Sequence, residues 1–245
     1  MCIRDRGIGK LNMQSPYDRE NITSILTECV SHSDLRESYV KMILTRGSPP
    51  PGSRDPRDCE NRFYALAIPY VWIADEEKQA EGLHMSVGTV PQISPESVDP
   101  TVKNFHWGDM LKGLFEAYDR GAETVVLTDG NGNITEGPGF NLFANISGRL
   151  VTPESGVLLG ITRMTVIELA ELLNVKVEVG TLTERELRSA DEVFVSSTAG
   201  GVMPVSRLDG DPIGDGAPGP LTQRLRQMYW DAHDDDKYVT WIDYR

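Results

Sequence analysis

Between Glu123 and Gly210 the chain runs through a close succession of strand-length stretches, interrupted once by an amphipathic helix. The stretches are "ETVVLTD" (123–129), "ITEGPGFNLFANI" (134–146), "GRLVTP" (148–153), "VKVEVGTLT" (175–183), "ADEVFVSST" (190–198) and "VMPVSRLDG" (202–210). Short runs rich in Val, Ile and Phe and bounded by Gly, Asn, Asp and Pro read as strands. "GNGN" (130–133) reads as a tight hairpin turn. The second glycine-rich interruption, inside 134–146, reads as a bulge. The intervening "GITRMTVIELAELLN" (160–174) has helical periodicity and ends near Asn174. "WGDMLKGLFEAYDRG" (107–121) reads as an earlier helix, with Met110, Leu111, Leu114 and Tyr118 on one side and Gly121 as its cap. "PLTQRLRQMYWDAH" (220–233) reads as a final helix. The pattern is that of a strand-rich lobe with inserted helices.

A smaller lobe precedes it. Ser15-Pro16 opens a helix in which Ile22, Ile25, Leu26 and Val30 keep helical spacing. "SYVKMILTRG" (38–47) reads as a strand, "GSPPPGSRDPRD" (47–58) as a loop, and "RFYALAIPYVWI" (62–73) as a buried strand ended or bulged near Pro69. The polar "ADEEKQAEG" (74–82) reads as a linker, after which "LHMSVGTV" (83–90) resumes a strand. The leader "MCIRDRGIGKLNM" shows no clear structural period. The expectation is an α+β protein with a partial α/β lobe over 1–77 and a larger lobe over 78–245.

A formal charge of -13 sets aside nucleic acid and anionic membranes as partners. Hydrophobic residues at 39% suffice for a globular core. No apolar run reaches membrane-spanning length, and the start lacks the apolar middle of a signal peptide. Three cysteines, Cys2, Cys29 and Cys59, in no CxxC spacing argue against a disulfide framework or zinc site and for a reducing, cytoplasmic setting. His32, His84, His106 and His233 have no metal-ligand spacing, so no metal is expected.

Four segments carry candidate chemistry. Lys103 in "PTVKNFHWGD" (100–109) has aromatic neighbours, which a desolvated amine nucleophile needs; the alternative is a solvated loop lysine. Glu136 in "TEGPGFN" (135–141) sits beside bent backbone, where a carboxylate can face a cavity and pair with a buried cation; the alternative is a structural bulge. Gly160, Ile161 and Thr162 open a helix whose free N–H groups suit a phosphate, or are simply capped by Thr162. "SSTAGGVMP" (196–204) offers hydroxyls and glycine backbone that can wrap an anion, or is an ordinary strand-end loop. Together they supply an amine, a carboxylate and two anion-binding turns, the set that pyridoxal 5'-phosphate requires.

The segments "PTVKNFHWGD", "LTDGNGNITEGPGFNLF", "GVLLGITR" and "SSTAGGVMPV" resemble, in order and spacing, the motifs of fold-type IV (class IV) pyridoxal-phosphate aminotransferases. "PYVW", "KNFHWGD" and "TAGGVMPVSRLDG" are most similar to the (R)-selective amine transaminases of that family, with branched-chain aminotransferases beside them. The resemblance implies the fold-type IV architecture, its larger lobe a pseudo-barrel. It implies a homodimeric enzyme that moves an amino group from a primary amine or amino acid to a keto acid or ketone. Lys103 is then the Schiff-base lysine and proton shuttle, and Glu136 the partner of the pyridine nitrogen. Ile161, Thr162, Ser197 and Thr198 bind the phosphate, and Arg163 supports that cradle from outside. Tyr39, Trp107 and Ala199 line the substrate pocket. Lys41 and Arg54 are candidates to meet a substrate carboxylate. Branched-chain or D-amino-acid aminotransferases and aminodeoxychorismate lyase are alternatives within the fold. The family's first strands, with a phosphate-gripping arginine, have no counterpart before the first helix. That reads as an N-terminally truncated member, and an inactive fragment is the non-enzymatic alternative.

Overall fold

The computed structural model describes residues 3–244. The chain divides into two compact units, Met1–Val71 with Val239–Arg245, and Trp72–Tyr238. The first unit holds helices α1 (Ile3–Lys10) and α2 (Arg19–Ser33) and the antiparallel pair β1 (Ser38–Thr45) and β2 (Arg62–Pro69). The leader therefore forms a helix where its sequence has no marked period. An acidic residue, Asp5, lies in the first turn of α1, and Arg46 reaches the carbonyls of Leu11 and Asn12 just beyond its end. Asp18 caps α2 by accepting a hydrogen bond from Asn21 N at 2.8 Å. Its buried residues, Ile22 and Val30, belong to the stripe read from the sequence. β2 ends at Pro69, where the sequence places its end or bulge, since proline has no N–H to continue the ladder, but its residues are half-buried or exposed rather than buried. The end of the chain returns to this unit. Tyr244 donates its hydroxyl to Leu35 O at 2.9 Å and takes the Arg36 guanidinium over its ring at 3.7 Å.

The second unit is built on a mixed eight-stranded sheet. Its strands are β3 (Leu83–Pro91), β4 (Thr124–Thr128), β5 (Asn141–Ile146), β6 (Arg149–Pro153), β7 (Val177–Gly180), β8 (Glu192–Ser197), β9 (Gly201–Leu208) and the short β10 (Asp211–Pro212). They lie in the order β4-β3-β9-β8-β5-β6-β7, with β10 on β9. β3 runs parallel to β4 and β9, and β6 parallel to β7; the remaining pairs are antiparallel. Both faces are covered, and the alternation of side chains decides which residue goes where. Leu142, Ala144, Val193 and Val195 face one apolar cluster. Phe143 and Phe194 face the other, stacked at 4.9 Å, with Val166, Leu169 and Ala170 of α5 (Ile161–Leu172) and Leu225 of α7 (Pro220–Asp231). Burying two such rings contributes several kcal/mol.

Four elements differ from the sequence reading. The polar stretch 74–82 is not a linker but contains α3 (Glu76–Glu81), capped by Asp75. Its Gln79 is buried, donates to Ala74 O at 2.8 Å and accepts from Arg226. Residues 134–140 form a folded turn rather than a bulged strand, with Gly137 and Phe140 exchanging backbone hydrogen bonds. α4 (Gly108–Asp119) turns Met110, Gly113 and Ala117 to the sheet, leaving Leu111 and Tyr118 exposed. A Cβ on Gly113 would lie 2.9 Å from Leu127, so only the smallest residue allows the helix this close. A short helix, α6 (Glu184–Arg188), follows β7, started by a capping box between Thr183 and Glu186. No described helix is long and apolar enough to cross a membrane.

Candidate active site

Four segments of the second unit meet through named contacts. Glu136 emerges from the turn after β4 and is 7 % exposed. Its Oε2 accepts from Leu158 N at 2.8 Å and from Asn141 Nδ2 at 3.1 Å, while Asn141 Nδ2 also donates to Leu158 O at 2.8 Å. This ties the "TEGPGFN" turn and β5 to the loop that enters α5. Among the described residues Oε1 accepts no hydrogen bond. Burial pushes the Glu136 carboxyl up to about 7, against the pull of the Leu158 N–H and of the positive charges of Lys103 and Arg163; Asp109 pushes the same way as burial. The positive charge of Lys103 is thus felt at Glu136.

The entry of α5 is a bare helix end. Gly160 is its N-cap and offers no side chain, and the first helical hydrogen bond is Met164 N to Gly160 O. The N–H groups of Ile161, Thr162 and Arg163 have no partner among the described residues, and they carry the positive end of the helix dipole. A Cβ on Gly160 would stand 2.4 Å from Asn141 Oδ1, so the loop passes here only as glycine. Thr162 is buried, and its side chain counters part of the upward push that burial gives the Tyr229 hydroxyl of α7.

The loop after β8 closes the group. Ser197 donates to Gly139 O at 2.8 Å and accepts from Ala199 N at 3.1 Å, clamping its own loop to the "TEGPGFN" turn. Thr198 is exposed and Ala199 half-buried. Gly201, at φ +69, lies against Tyr229, which a Cβ would meet at 2.6 Å. Trp107 lies over Gly139, within 3.5 Å of where its Cβ would be. Ser196 shares the face and register of Asn141; the residue is 2 % exposed and its hydroxyl has no partner among the described residues.

Lys103 departs from the sequence reading in one respect. It is exposed, and Phe105 beside it is 78 % exposed, so the neighbouring rings do not bury the amine. Asp99 and Asn104 organise the loop through Thr101 N, Val102 O and His106 N, with Val102 as its inward anchor. Arg163 also differs: it turns inward and is buried rather than flanking the cradle from outside. Tyr39 and Lys41 lie on β1 and Arg54 in the following loop, all in the first unit; Tyr39 packs edge-on against Tyr70. Among the described residues no group of three His, Cys, Asp or Glu could hold a metal.

The sequence reading misses Asn141, Leu158 and Tyr229, and takes in Ser196 only as one of the hydroxyls of 196–204. Only Asn141 leaves a trace, as a polar residue starting a strand of otherwise apolar character. The donor set fits pyridoxal 5'-phosphate. Unpartnered N–H groups and an orphaned hydroxyl suit a phosphate, and Glu136 Oε1 suits a ring N–H.

The profile of the class IV amino-transferase family matches residues 5–208. The branched-chain-amino-acid aminotransferase of Escherichia coli (strain K12) is 30% identical over 235 residues, covering 91% of this chain and 75% of that protein. That of Pseudomonas aeruginosa is 30% identical over 225 residues, covering 90% and 72%. Among solved structures, the T.th. branched-chain amino acid aminotransferase with pyridoxamine 5'-phosphate superposes with a TM-score of 0.88 at 29% identity, over 98% of this chain and 80% of that one. The Escherichia coli enzyme gives 0.89 at 26% identity, over 99% and 82%. The fold and family read from the motifs are borne out: the chain belongs to the class IV aminotransferases.

Proposed function

We propose that this chain is a pyridoxal 5'-phosphate-dependent aminotransferase that moves the amino group of a branched-chain amino acid to a 2-keto acid. The observation that carries the reading is the meeting of Glu136, the open end of α5 and the Ser197 loop, with the charge of Lys103 felt at Glu136. The names of the relatives support the donor class. The likeness of "KNFHWGD" and "TAGGVMPVSRLDG" to amine transaminases favours a second donor, a primary amine.

When bound, the cofactor supplies an aldehyde for amine exchange and an electron-withdrawing ring. Lys103 would hold the group through its Nζ, and as a free amine would be the base that takes the proton from the donor carbon and gives it back. Glu136 Oε1 holds the proton on the ring nitrogen, with Oε2 fixed by Leu158 and Asn141. The N–H groups of Ile161, Thr162 and Arg163 bind the phosphate, and Thr198 adds donors. Ser197 acts by holding the loop against Gly139, which sets the backbone of Ala199 toward substrate, and Trp107 forms a wall. We infer a homodimer, supported by the apolar outer face of α4, and a cytoplasmic setting, supported by the free thiols of Cys29 and Cys59.

The test mixes purified chain with pyridoxal 5'-phosphate and records the visible spectrum, then offers a branched-chain amino acid and a chiral primary amine as alternative donors. A visible band that Lys103→Ala abolishes, with turnover of the amino acid, is expected. A band of equal strength in Lys103→Ala removes the lysine from its role; turnover of the amine alone replaces the donor.

A further inference from the structure

The stretch 92–107, between β3 and α4, carries Lys103 and holds no helix or strand. A loop of that length in a packed unit is soft unless something fastens it. Local bonds shape it from within. Ser94 O accepts from Ser97 N at 2.9 Å, Asp99 O from Val102 N at 3.1 Å, and Asn104 Oδ1 from His106 N at 2.7 Å. The fastening lies at its base. Asp109, in the first turn of α4, accepts from Ile93 N at 2.7 Å through Oδ2 and from Met110 N at 2.9 Å through Oδ1. Beside it Gln92 N donates to Thr128 O at 2.8 Å. Trp107, the N-cap of α4, makes no side-chain cap. The carboxylate therefore answers one of the free N–H groups of the helix start and clasps the chain just past β3 to it. Its charge also stands at the positive end of the helix dipole. The two ends of the loop thus meet at one side chain.

We propose that Asp109 is a positioning residue, whose carboxylate clasps the base of the Lys103 loop and so sets where the lysine amine stands relative to the turn that bears Glu136. The inference rests on the role proposed for Lys103. An amine that moves a proton must be placed closely, and a displacement of about 1 Å costs roughly a hundredfold in rate. Phe105, in the same loop, is exposed and gives the lysine no such hold. Val102 is buried and Trp107 lies over Gly139, so a loop pinned at its base is carried against the Glu136 turn. Both oxygens of the carboxylate are employed. An amide has one acceptor oxygen and an NH2 group, so Asp109→Asn can answer only one of the two N–H groups and sets a donor against the other.

The test compares wild type with Asp109→Asn. Cofactor-free protein labelled with fluorotryptophan reports the loop through the fluorine resonance of Trp107, assigned with Trp107→Phe, while Trp72, Trp230 and Trp241 serve as internal controls. Asp109→Asn is expected to shift or broaden the Trp107 line alone. Loaded with pyridoxal 5'-phosphate, it is expected to lose roughly ten- to a hundredfold in kcat, with the donor KM within about threefold of wild type. The fall extends across the whole pH profile of kcat. An unmoved Trp107 line overturns the proposal, as does an unchanged kcat with the line displaced. A fall confined to one limb of the profile also overturns it, because that marks the lost charge acting at Glu136 instead of a displaced loop. If Asp109→Asn does not fold, Asp109→Glu decides. It keeps the charge and both oxygens, but its longer arm pushes the two ends of the loop apart. A displaced Trp107 line with reduced kcat is then expected, and either change without the other, or neither, overturns the proposal. The fluorine spectrum needs no cofactor. A displaced line together with no visible band when wild type meets pyridoxal 5'-phosphate would sink the functional reading and leave the clasp intact.

Discussion

The two oxygens of Glu136 are employed differently. Oε2 is held by a backbone and a side-chain donor, whereas Oε1 is left to a ligand. Burial outweighs both donors, so the carboxyl binds its proton more tightly in the folded chain than in the unfolded one. The sign of the consequence follows from linkage. Between the ordinary value of 4.5 and about 7, the native state keeps a proton that the unfolded state has released. Stability contributed at this site is greatest at low pH, falls as pH rises through that window, and levels off above it. The total is about 3 kcal/mol. Urea denaturation of the cofactor-free protein at pH 5 and pH 7.5 measures it: Glu136→Gln should gain on wild type by that order between the two. Parallel curves for the two proteins would show that the carboxyl is not perturbed.

At the scale of elements, α7 illustrates how a strand can start a helix. Glu192, in the middle of the sheet on β8, accepts from Thr222 N at 2.9 Å and Thr222 Oγ1 at 2.8 Å, and from Leu221 N at 3.3 Å. It thereby caps a helix that has only Gly219 as N-cap. Glu192→Ala leaves those buried donors unpaired and should cost roughly 2–3 kcal/mol in a denaturation midpoint series; a change below about 0.5 kcal/mol would show that water replaces the cap. Such partnerships mark the limit of what the sequence discloses. Strands β4, β5, β8 and β9 and helices α2, α5 and α7 are legible because periodicity and local turn residues are local signals. α3 is not legible, because its one buried amide is invisible among acids. The inward face of α4 is misread because the sheet selects small residues, not the largest ones. Toward the proposed site, residue type and resemblance single out the lysine, the acid and the two turns as candidates. Asn141, Tyr229 and the inward turn of Arg163 are not legible, since their partners lie 5 to 67 residues away in sequence.

At the scale of the molecule, α4 presents Leu111, Phe115 and Tyr118 outward at i, i+4 and i+7, with Phe115 60 % and Tyr118 55 % exposed. Phe105 stands in the loop before it. Aromatic surface in such a stripe marks an interaction site. With a second copy as its occupant, sedimentation of wild type gives a dimer, and Phe115→Asp shifts it toward monomer at equal concentration. Wild type that sediments as a monomer would refute this. The return of Tyr244 to Leu35 and Arg36 has a different kind of consequence. During synthesis, α2 and its hairpin leave the ribosome long before residues 239–244 exist. α2 and the hairpin must wait, incompletely packed, while 72–238 emerges and folds. Nascent chains stalled before residue 239 should keep α2 and its hairpin open to proteases.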